Sequence, residues 1–211
     1  MNYSDKDIIH VPFLSSEECQ QCIEYLKHKE KYLKTIDVDY EPPYKENNIC
    51  TRLHSEYNFF LDNPQYIKRL EEFTSKFLGP KRPLAVQSWG NIYEKNQGIE
   101  WHHHNIIKDF WFAGYTANIF LGGDENIGLT YAIHCKNEPK YQYKHVKNKL
   151  GYIMMMRNNV YHMVKKNDSK STRYTLGMTI TENEDSLSNL SESESILWLN
   201  KQNEKRSYQY S

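Results

Sequence analysis

Apolar residues recur every three or four positions in two stretches near the start of the chain. The first is LSSEECQQCIEYLKHKEKYLK, which predicts a helix capped by Ser16, with Glu18 in its first turn. The short apolar run DIIHVPF precedes it and predicts a strand. The second stretch is NPQYIKRLEEFTSKFL, which ends at a Gly-Pro pair. Its apolar face consists of Ile67, Leu70, Phe73 and Phe77. Residues 1–80 are therefore predicted to be mainly helical.

After Pro83 the helical spacing gives way to short β-prone runs. These are LAVQSWGNIYEK, WFAGYTANIFLG, IGLTYAI, GYIMMMR and RYTLGMTI, separated by clusters of Gly, Asn, Asp and Lys. Several short strands with such punctuation indicate a barrel or sandwich. Helices ahead of many strands favour a sheet core with the helices packed on one side. We predict one mainly β (α+β) domain over residues 1–181, with its β core at 84–181.

The end of the chain has a different composition. Residues 182–195 are acidic and rich in serine, which predicts a flexible tether. Residues 196–211 contain the apolar run ILWL and predict a helical tail. Two interpretations of this tail are open: it packs back on the domain, or it joins two copies of the chain into a homodimer.

Charge and composition narrow the classes of function. The 211 residues carry 27 Lys plus Arg and 27 Asp plus Glu, so the formal net charge is +0. Without a basic excess, a dedicated nucleic-acid binder is not expected. Neither a membrane span nor a secretory signal is visible, so we expect a cytoplasmic protein with no membrane partner. Cys19 and Cys22 form a C-x-x-C inside the first predicted helix and are expected to be reduced thiols on its buried side.

The clearest sign of chemistry is a run of three histidines, His102, His103 and His104. In an extended segment, residues two apart point to one side, so His102 and His104 can converge on one ion while His103 points away. A third ligand must then come from a distant strand, and His162 is expected at the end of the apolar strand that contains IMMMR. Arg173 lies on the next strand, and an arginine inside a barrel needs a carboxylate partner, which is either a protein side chain or a bound acid.

These residues resemble the motifs of the Fe(II)- and 2-oxoglutarate-dependent oxygenases. NIYEKNQGIEWHHH resembles N-x-Y followed by W-H-x-[D/E], and GYTANIFLGG, YH and RYT follow in the family's order. The resemblance covers about residues 84–181 and is nearest to compact, prolyl-hydroxylase-like members with H-x-H at this place. It implies a double-stranded β-helix, which is a cupin-like jelly roll.

The resemblance also implies roles for individual residues. His102 and His162 would bind Fe(II), and Arg173, assisted by Thr175, would pair with the C5 carboxylate of 2-oxoglutarate. The four residues that would contact this co-substrate are Asn91, Tyr93, Arg173 and Thr175. With O2 as the other co-substrate, the reaction would release succinate and CO2. The oxidised or hydroxylated substrate would be a peptide, an amino acid or a small polar metabolite, with a prolyl residue of a protein as the first hypothesis.

The sequence departs from the family at His104, where the family carries Asp or Glu. Three interpretations are open: His104 is itself the third iron ligand, a nearby carboxylate (Glu100 or Asp109) replaces it, or the site binds metal weakly or not at all. Two other functions are open as well. A three-histidine, cupin-type dioxygenase that does not use 2-oxoglutarate would have no need for a buried Arg173. A non-catalytic metal-binding β-sandwich module would have a site closed by protein ligands.

Two further expectations concern the surroundings of the site. Residues 141–149, YQYKHVKNK, are basic and aromatic and are expected to form a solvated loop, with a cradle for an anionic substrate as the alternative. The loops at 42–60 and 136–149 would flank the mouth and select the substrate. Arg173 has one alternative role, which is to pair at the surface with Glu182 or Asp168.

Overall fold

Two antiparallel sheets form the body of the protein. The computed structural model describes residues 8–36, 51–53, 59–78, 84–104, 114–134, 141–158 and 160–182. The strands in these ranges are β1 (Ile9–Pro12), β2 (Thr51–Leu53), β3 (Leu84–Tyr93), β4 (Ile99–His102), β5 (Gly114–Gly122), β6 (Leu129–His134), β7 (Tyr141–Val146), β8 (Tyr152–Arg157), β9 (His162–Val164) and β10 (Arg173–Glu182). Within the described residues, a six-stranded major sheet has the order β1-β8-β5-β10-β3-β2, and a four-stranded minor sheet has the order β4-β9-β6-β7.

From β3 onward the chain passes back and forth between the two sheets. β3, β5, β8 and β10 belong to the major sheet, and the strands between them belong to the minor sheet. Two antiparallel sheets connected in this way form a jelly roll. The predicted fold class, a double-stranded β-helix with N-terminal helices, agrees with this topology.

Helices cover the outer face of the major sheet. They are α1 (Ser16–Ile36), α2 (Phe59–Asp62) and α3 (Ile67–Leu78), and a 3-10 turn at Pro64–Tyr66 leads into α3. Even-numbered residues of β3 and β10 face these helices because side chains alternate along a strand. They join one apolar cluster with the helices, which includes Leu26, Leu70, Phe73, Ile92, Leu176, Met178 and Ile180. None of the described helices combines the length and apolar composition of a membrane span.

The start of α1 differs from the prediction in one residue. Ser15, rather than Ser16, caps the helix: its hydroxyl accepts the Glu18 N–H at 3.2 Å, and the Glu18 carboxylate accepts the Ser15 N–H at 2.8 Å. This is a capping box. Arg69 on α3 donates to both carboxylate oxygens of Glu18 at 2.8 Å and so fixes the carboxylate in that position.

Cys19 and Cys22 occupy the core between α1 and the major sheet. Both are free thiols, 0% and 3% exposed, which confirms the interpretation of the C-x-x-C pair as buried reduced cysteines. Burial raises the pKa of Cys19 to about 11 and the pKa of Cys22 to about 12. Thiols that resist ionisation are poor nucleophiles and poor metal ligands.

The prediction of a loop at 141–149 is wrong for most of that segment. Residues 141–146 form β7, which pairs with β6 from Leu129 opposite Val146 to His134 opposite Tyr141. His162 also stands at the start of a short strand rather than at the end of an apolar one. The described part of the chain ends at Glu182. Three predictions concern residues beyond it and so lie outside the described residues: the tether at 182–195, the tail at 196–211 and the homodimer formed through that tail.

Candidate metal centre

Three imidazole rings meet between the two sheets. His102 ends β4 and is the cross-strand partner of His162, which begins β9. His104 follows two residues after His102. The ring centroids of His102 and His162 are 4.3 Å apart, and each lies 5.2 Å from the ring of His104. One nitrogen from each ring can be chosen so that all three lie within 4.8 Å of one another. This spacing suits three ligands of a single ion.

Main-chain carbonyls set the tautomer of two of these rings. The Nδ1 of His102 lies 2.7 Å from the carbonyl oxygen of Glu100, and the Nδ1 of His162 lies 2.8 Å from that of Val160. A carbonyl only accepts hydrogen bonds, so Nδ1 carries the proton in each ring and Nε2 carries the lone pair. Tethers of this kind orient metal-binding histidines and increase their basicity. The main-chain N–H of His104 donates to the carbonyl of Asn158 at 2.8 Å.

The neighbouring residues divide as the strand alternation predicts. His103 is outside the cluster, and its ring packs edge-on against Tyr161 at 4.6 Å. Glu100 contributes its main-chain carbonyl, while its side chain is exposed and is not in the cluster. Asp109 lies outside the described residues. Among the residues that the structure describes, His104 is therefore the third member of the cluster.

A small cavity of about 40 Å³ opens between the sheets beside the histidines. The walls are largely apolar, with a few amide and hydroxyl groups. They consist of Trp89, Asn91, Tyr93, Ile99, Thr116, Ala117, Asn118, Leu129, Met156, Val164 and Gly177 together with the three histidines.

Arg173 packs against Tyr93, one of the residues that line this cavity. The two residues are cross-strand partners on β10 and β3, and the guanidinium stacks 4.5 Å from the centre of the Tyr93 ring. Arg173 is 1% exposed, and its Nε and Nη1 have no hydrogen-bond partner among the described residues. The alternative of a surface pair with Glu182 or Asp168 is wrong, because the guanidinium is buried.

The next cross-strand pair toward the histidines is Asn91 and Thr175. The Asn91 amide donates to the Thr175 hydroxyl at 3.2 Å, and both side chains are buried. The structure therefore brings together all four residues predicted to contact a co-substrate. An ionised guanidinium with two unsatisfied N–H groups is costly to bury, and a carboxylate is the group that best offsets that cost. The residues present fit one end of a dicarboxylic acid.

Sequence reasoning missed Asn167, which supports this end of the site. Asn167 is 1% exposed, and its amide donates to the carbonyls of Tyr93 and Ser171, both at 2.9 Å. Its main chain also exchanges hydrogen bonds with Asn96 and Gln97 in the turn after β3. These bonds join the turn before β10 to the end of β3 and fix the distance between Tyr93 and Arg173. The composition of NDSKS indicated a turn but not which residue would brace it.

An aromatic groove of about 220 Å³ lies on the outer face of the minor sheet. Its floor is Ala132 on β6. Its walls hold four of the five large hydrophobic side chains that are exposed in the described residues, at 40–66% exposure. These four are Trp101, Tyr141, Tyr143 and Tyr161. The groove and the metal cluster lie on opposite faces of the minor sheet, since Trp101 and Tyr161 directly precede His102 and His162 and neighbouring side chains of a strand point to opposite sides.

Comparison with known proteins identifies the fold. No family model and no curated protein matches the sequence. A Pseudomonas putida prolyl-4-hydroxylase superposes with a TM-score of 0.58 at 12% identity, covering 84% of this chain and 94% of that one. The non-heme alpha-ketoglutarate-dependent carbocyclase SnoK from nogalamycin biosynthesis gives 0.60 at 14% identity, covering 83% and 79%. HygX from Streptomyces hygroscopicus, solved with nickel and 2-oxoglutarate, gives 0.56 at 14% identity, covering 84% and 83%.

Likenesses at this level of identity establish architecture and not activity. They confirm the predicted double-stranded β-helix over most of the chain's length. Of these three proteins, one is a prolyl-4-hydroxylase, one is an alpha-ketoglutarate-dependent carbocyclase, and one binds 2-oxoglutarate in its structure. The chain has the double-stranded β-helix fold of these oxygenases.

Proposed function

We propose that this chain is an Fe(II)- and 2-oxoglutarate-dependent oxygenase that hydroxylates or oxidises an organic substrate. The observation that carries the proposal is the buried guanidinium of Arg173, whose Nε and Nη1 have no hydrogen-bond partner in the described structure. It stacks on Tyr93, which lines the cavity together with the three histidines. Such a group needs an anionic partner in the functional protein. A dicarboxylic 2-oxo acid has a carboxylate for the guanidinium and a second end that can bind the metal.

In this proposal each group has one task. His102, His104 and His162 hold Fe(II) through three nitrogens and leave coordination positions open for exchangeable ligands. Arg173 and the Thr175 hydroxyl bind the C5 carboxylate of the co-substrate, and Asn91 and Tyr93 orient its chain. The apolar walls exclude bulk water. When bound, iron, 2-oxoglutarate and O2 supply the oxidising chemistry and release succinate and CO2.

The charge of the site supports the use of a dianion. Three neutral imidazoles leave the double positive charge of a bound Fe(II) uncompensated, whereas the family's two-histidine, one-carboxylate site compensates half of it. A 2-oxoglutarate dianion would then compensate half of the iron's charge with one carboxylate while its other carboxylate pairs with Arg173. Substitution of histidine for the carboxylate is therefore compatible with co-substrate binding.

Two observations disfavour the other functions. A three-histidine dioxygenase without 2-oxoglutarate gives Arg173 no partner, although burial of this residue demands one. A structural metal site is normally closed by four protein ligands, and the cluster has three in the described residues and borders an open cavity.

The substrate of the proposed reaction is a peptide, an amino acid or a small polar metabolite. Exposed aromatic side chains concentrated at one place, as in the aromatic groove, are typical of a recognition site. Because this groove lies on the face of the minor sheet opposite the metal cluster, it does not select among these three classes of substrate.

The test uses the purified protein without oxygen and needs no knowledge of the substrate. Fe(II) followed by 2-oxoglutarate should produce the weak visible charge-transfer band of the chelate. We expect the band to be absent in His102→Ala and weakened in Arg173→Ala, while His103→Ala, as the matched control, keeps it. Tight iron binding with no band would favour the three-histidine dioxygenase, and absence of iron binding would leave a binding module.

A further inference from the structure

The indole of Trp89 forms one wall of the histidine cluster. Trp89 lies on the inner face of β3, is 7% exposed, and has its ring 6.1 Å from the ring of His104. Its cross-strand partner on β10 is Gly177. A Cβ added at Gly177 would lie 2.6 Å from the Trp89 Nε1 and 2.7 Å from its Cε2, closer than non-bonded atoms approach. The indole therefore occupies the space that a side chain at residue 177 would fill.

The ring of His104 packs between two other rings. His104 follows two residues after the end of β4, and its main-chain N–H donates to the carbonyl of Asn158. Its ring lies between the Trp89 indole and the nearly parallel ring of His162, at 14° between the His104 and His162 planes. The torsion that turns an imidazole about its Cβ–Cγ bond is soft, so rings packed against its two faces restrict its orientation.

We propose that Trp89, seated on Gly177, is the positioning residue of His104 and holds this imidazole in the orientation in which it binds metal. The proposal rests on the proposed function only in requiring that the cluster binds a divalent ion. It assigns Gly177 a specific reason for lacking a side chain, which is to admit the indole. Loss of an orienting neighbour around a metal ligand typically costs about 10–100-fold in metal affinity.

The test substitutes the glycine, which touches neither the metal nor His104. Gly177→Ala displaces the indole, because a buried aromatic ring cannot yield as the end of a flexible side chain can. Anaerobic titration with Co(II) alone, followed by its visible absorption and by calorimetry, measures affinity and coordination. We expect about 10–100-fold weaker binding than in the wild-type protein and a spectrum like that of His104→Ala. Circular dichroism and the melting temperature verify that the variant is folded under the titration conditions.

A matched control separates positioning from general strain. Gly122→Ala makes the same substitution in the same sheet, where the added Cβ meets the end of the Ile23 side chain at 2.9 Å on the helix-facing side. Neither glycine has a positive φ. Gly122→Ala should alter the melting temperature at most, with unchanged Co(II) affinity and spectrum.

Two double variants sharpen the assignment. Trp89→Phe with Gly177→Ala replaces the indole by a smaller ring and should recover most of the lost affinity. In a His104→Ala background, Gly177→Ala should produce no further loss, because the residue on which it acts is gone.

Several results would overturn the proposal. Wild-type affinity and spectrum in Gly177→Ala would do so, as would equal losses in Gly122→Ala or additive losses in the His104→Ala background. Wild-type protein that binds Co(II) but gives no charge-transfer band with Fe(II) and 2-oxoglutarate would reject the proposed function while leaving the role of Trp89 intact. Wild-type protein that binds no Co(II) would reject both.

Discussion

Replacing Arg173 with methionine should change stability and ligand binding in opposite directions. In the described structure, Arg173 buries two unsatisfied N–H groups, each costing about 1–3 kcal/mol. Stacking of the guanidinium on Tyr93 stabilises the folded state by up to about 2 kcal/mol. Arg173→Met keeps a long side chain of similar reach and removes the charge. The free energy of unfolding without ligand should therefore stay the same or rise by about 0–4 kcal/mol.

With 2-oxoglutarate bound, the wild-type protein should be more stable than Arg173→Met. A ligand that binds only the folded state at 100 times its dissociation constant stabilises a protein by about 2.7 kcal/mol. Wild-type protein loaded with metal should gain this stability from 2-oxoglutarate, and Arg173→Met should gain almost none.

Urea unfolding with and without 2-oxoglutarate, in the presence of Co(II), measures both effects. A variant that is several kcal/mol less stable without ligand would show that the guanidinium has a stabilising partner in the protein. A variant that keeps the 2-oxoglutarate shift would show that the carboxylate binds elsewhere. Either result would refute the role of Arg173 as an anion receptor.

Two further predictions concern the helical side of the fold. The hydrogen bonds from Arg69 hold the pKa of Glu18 at about 2, below its usual 4.5, so the stability they contribute is present above pH 4.5 and is lost as the pH falls toward 2. Glu18→Gln should cost about 1 kcal/mol at pH 7 in urea unfolding, and a difference that persists unchanged at pH 2 would contradict the ion-pair explanation. Since burial raises the pKa values of Cys19 and Cys22 to about 11 and about 12, neither should react with iodoacetamide at pH 8 until urea unfolds the protein. Mass-spectrometric mapping of the label checks this, and rapid labelling of either thiol in the folded state would count against a buried pair.

Much of the site follows from strand periodicity. The two-residue repeat placed His102 and His104 on one side and His103 on the other, and the structure has this arrangement. It also placed Asn91 and Tyr93 on one face of β3. Periodicity does not predict which distant strands pair. The order of the motifs along the chain was needed to predict that these residues lie near His162 and Arg173.

The missed features all depend on tertiary context. In β7, Tyr141, Tyr143 and His145 alternate with Gln142, Lys144 and Val146. The strand lies at the edge of the minor sheet, and Tyr141 and Tyr143 are exposed. An edge strand whose outer face is solvated has the composition of a loop. The seating of Trp89 on Gly177 depends on the register of β3 against β10, which neither segment specifies alone. In the sequence, Ser15 and Ser16 are equally good candidates for the cap. The structure favours Ser15 because Arg69, on another helix, fixes Glu18 where it accepts the Ser15 N–H.

β10 connects the helical core to the site within one strand. Leu176, Met178 and Ile180 lie in the cluster under the helices, while Thr175 and Gly177 alternate with them on the side of the histidines. A slip of one residue in its pairing would exchange the two sets and bury the polar side chains against the helices. Chains that form this sheet in the wrong register would therefore fail to fold rather than accumulate as intact but inactive protein. Correct folding and the geometry of the candidate site therefore depend on the register of the same strand.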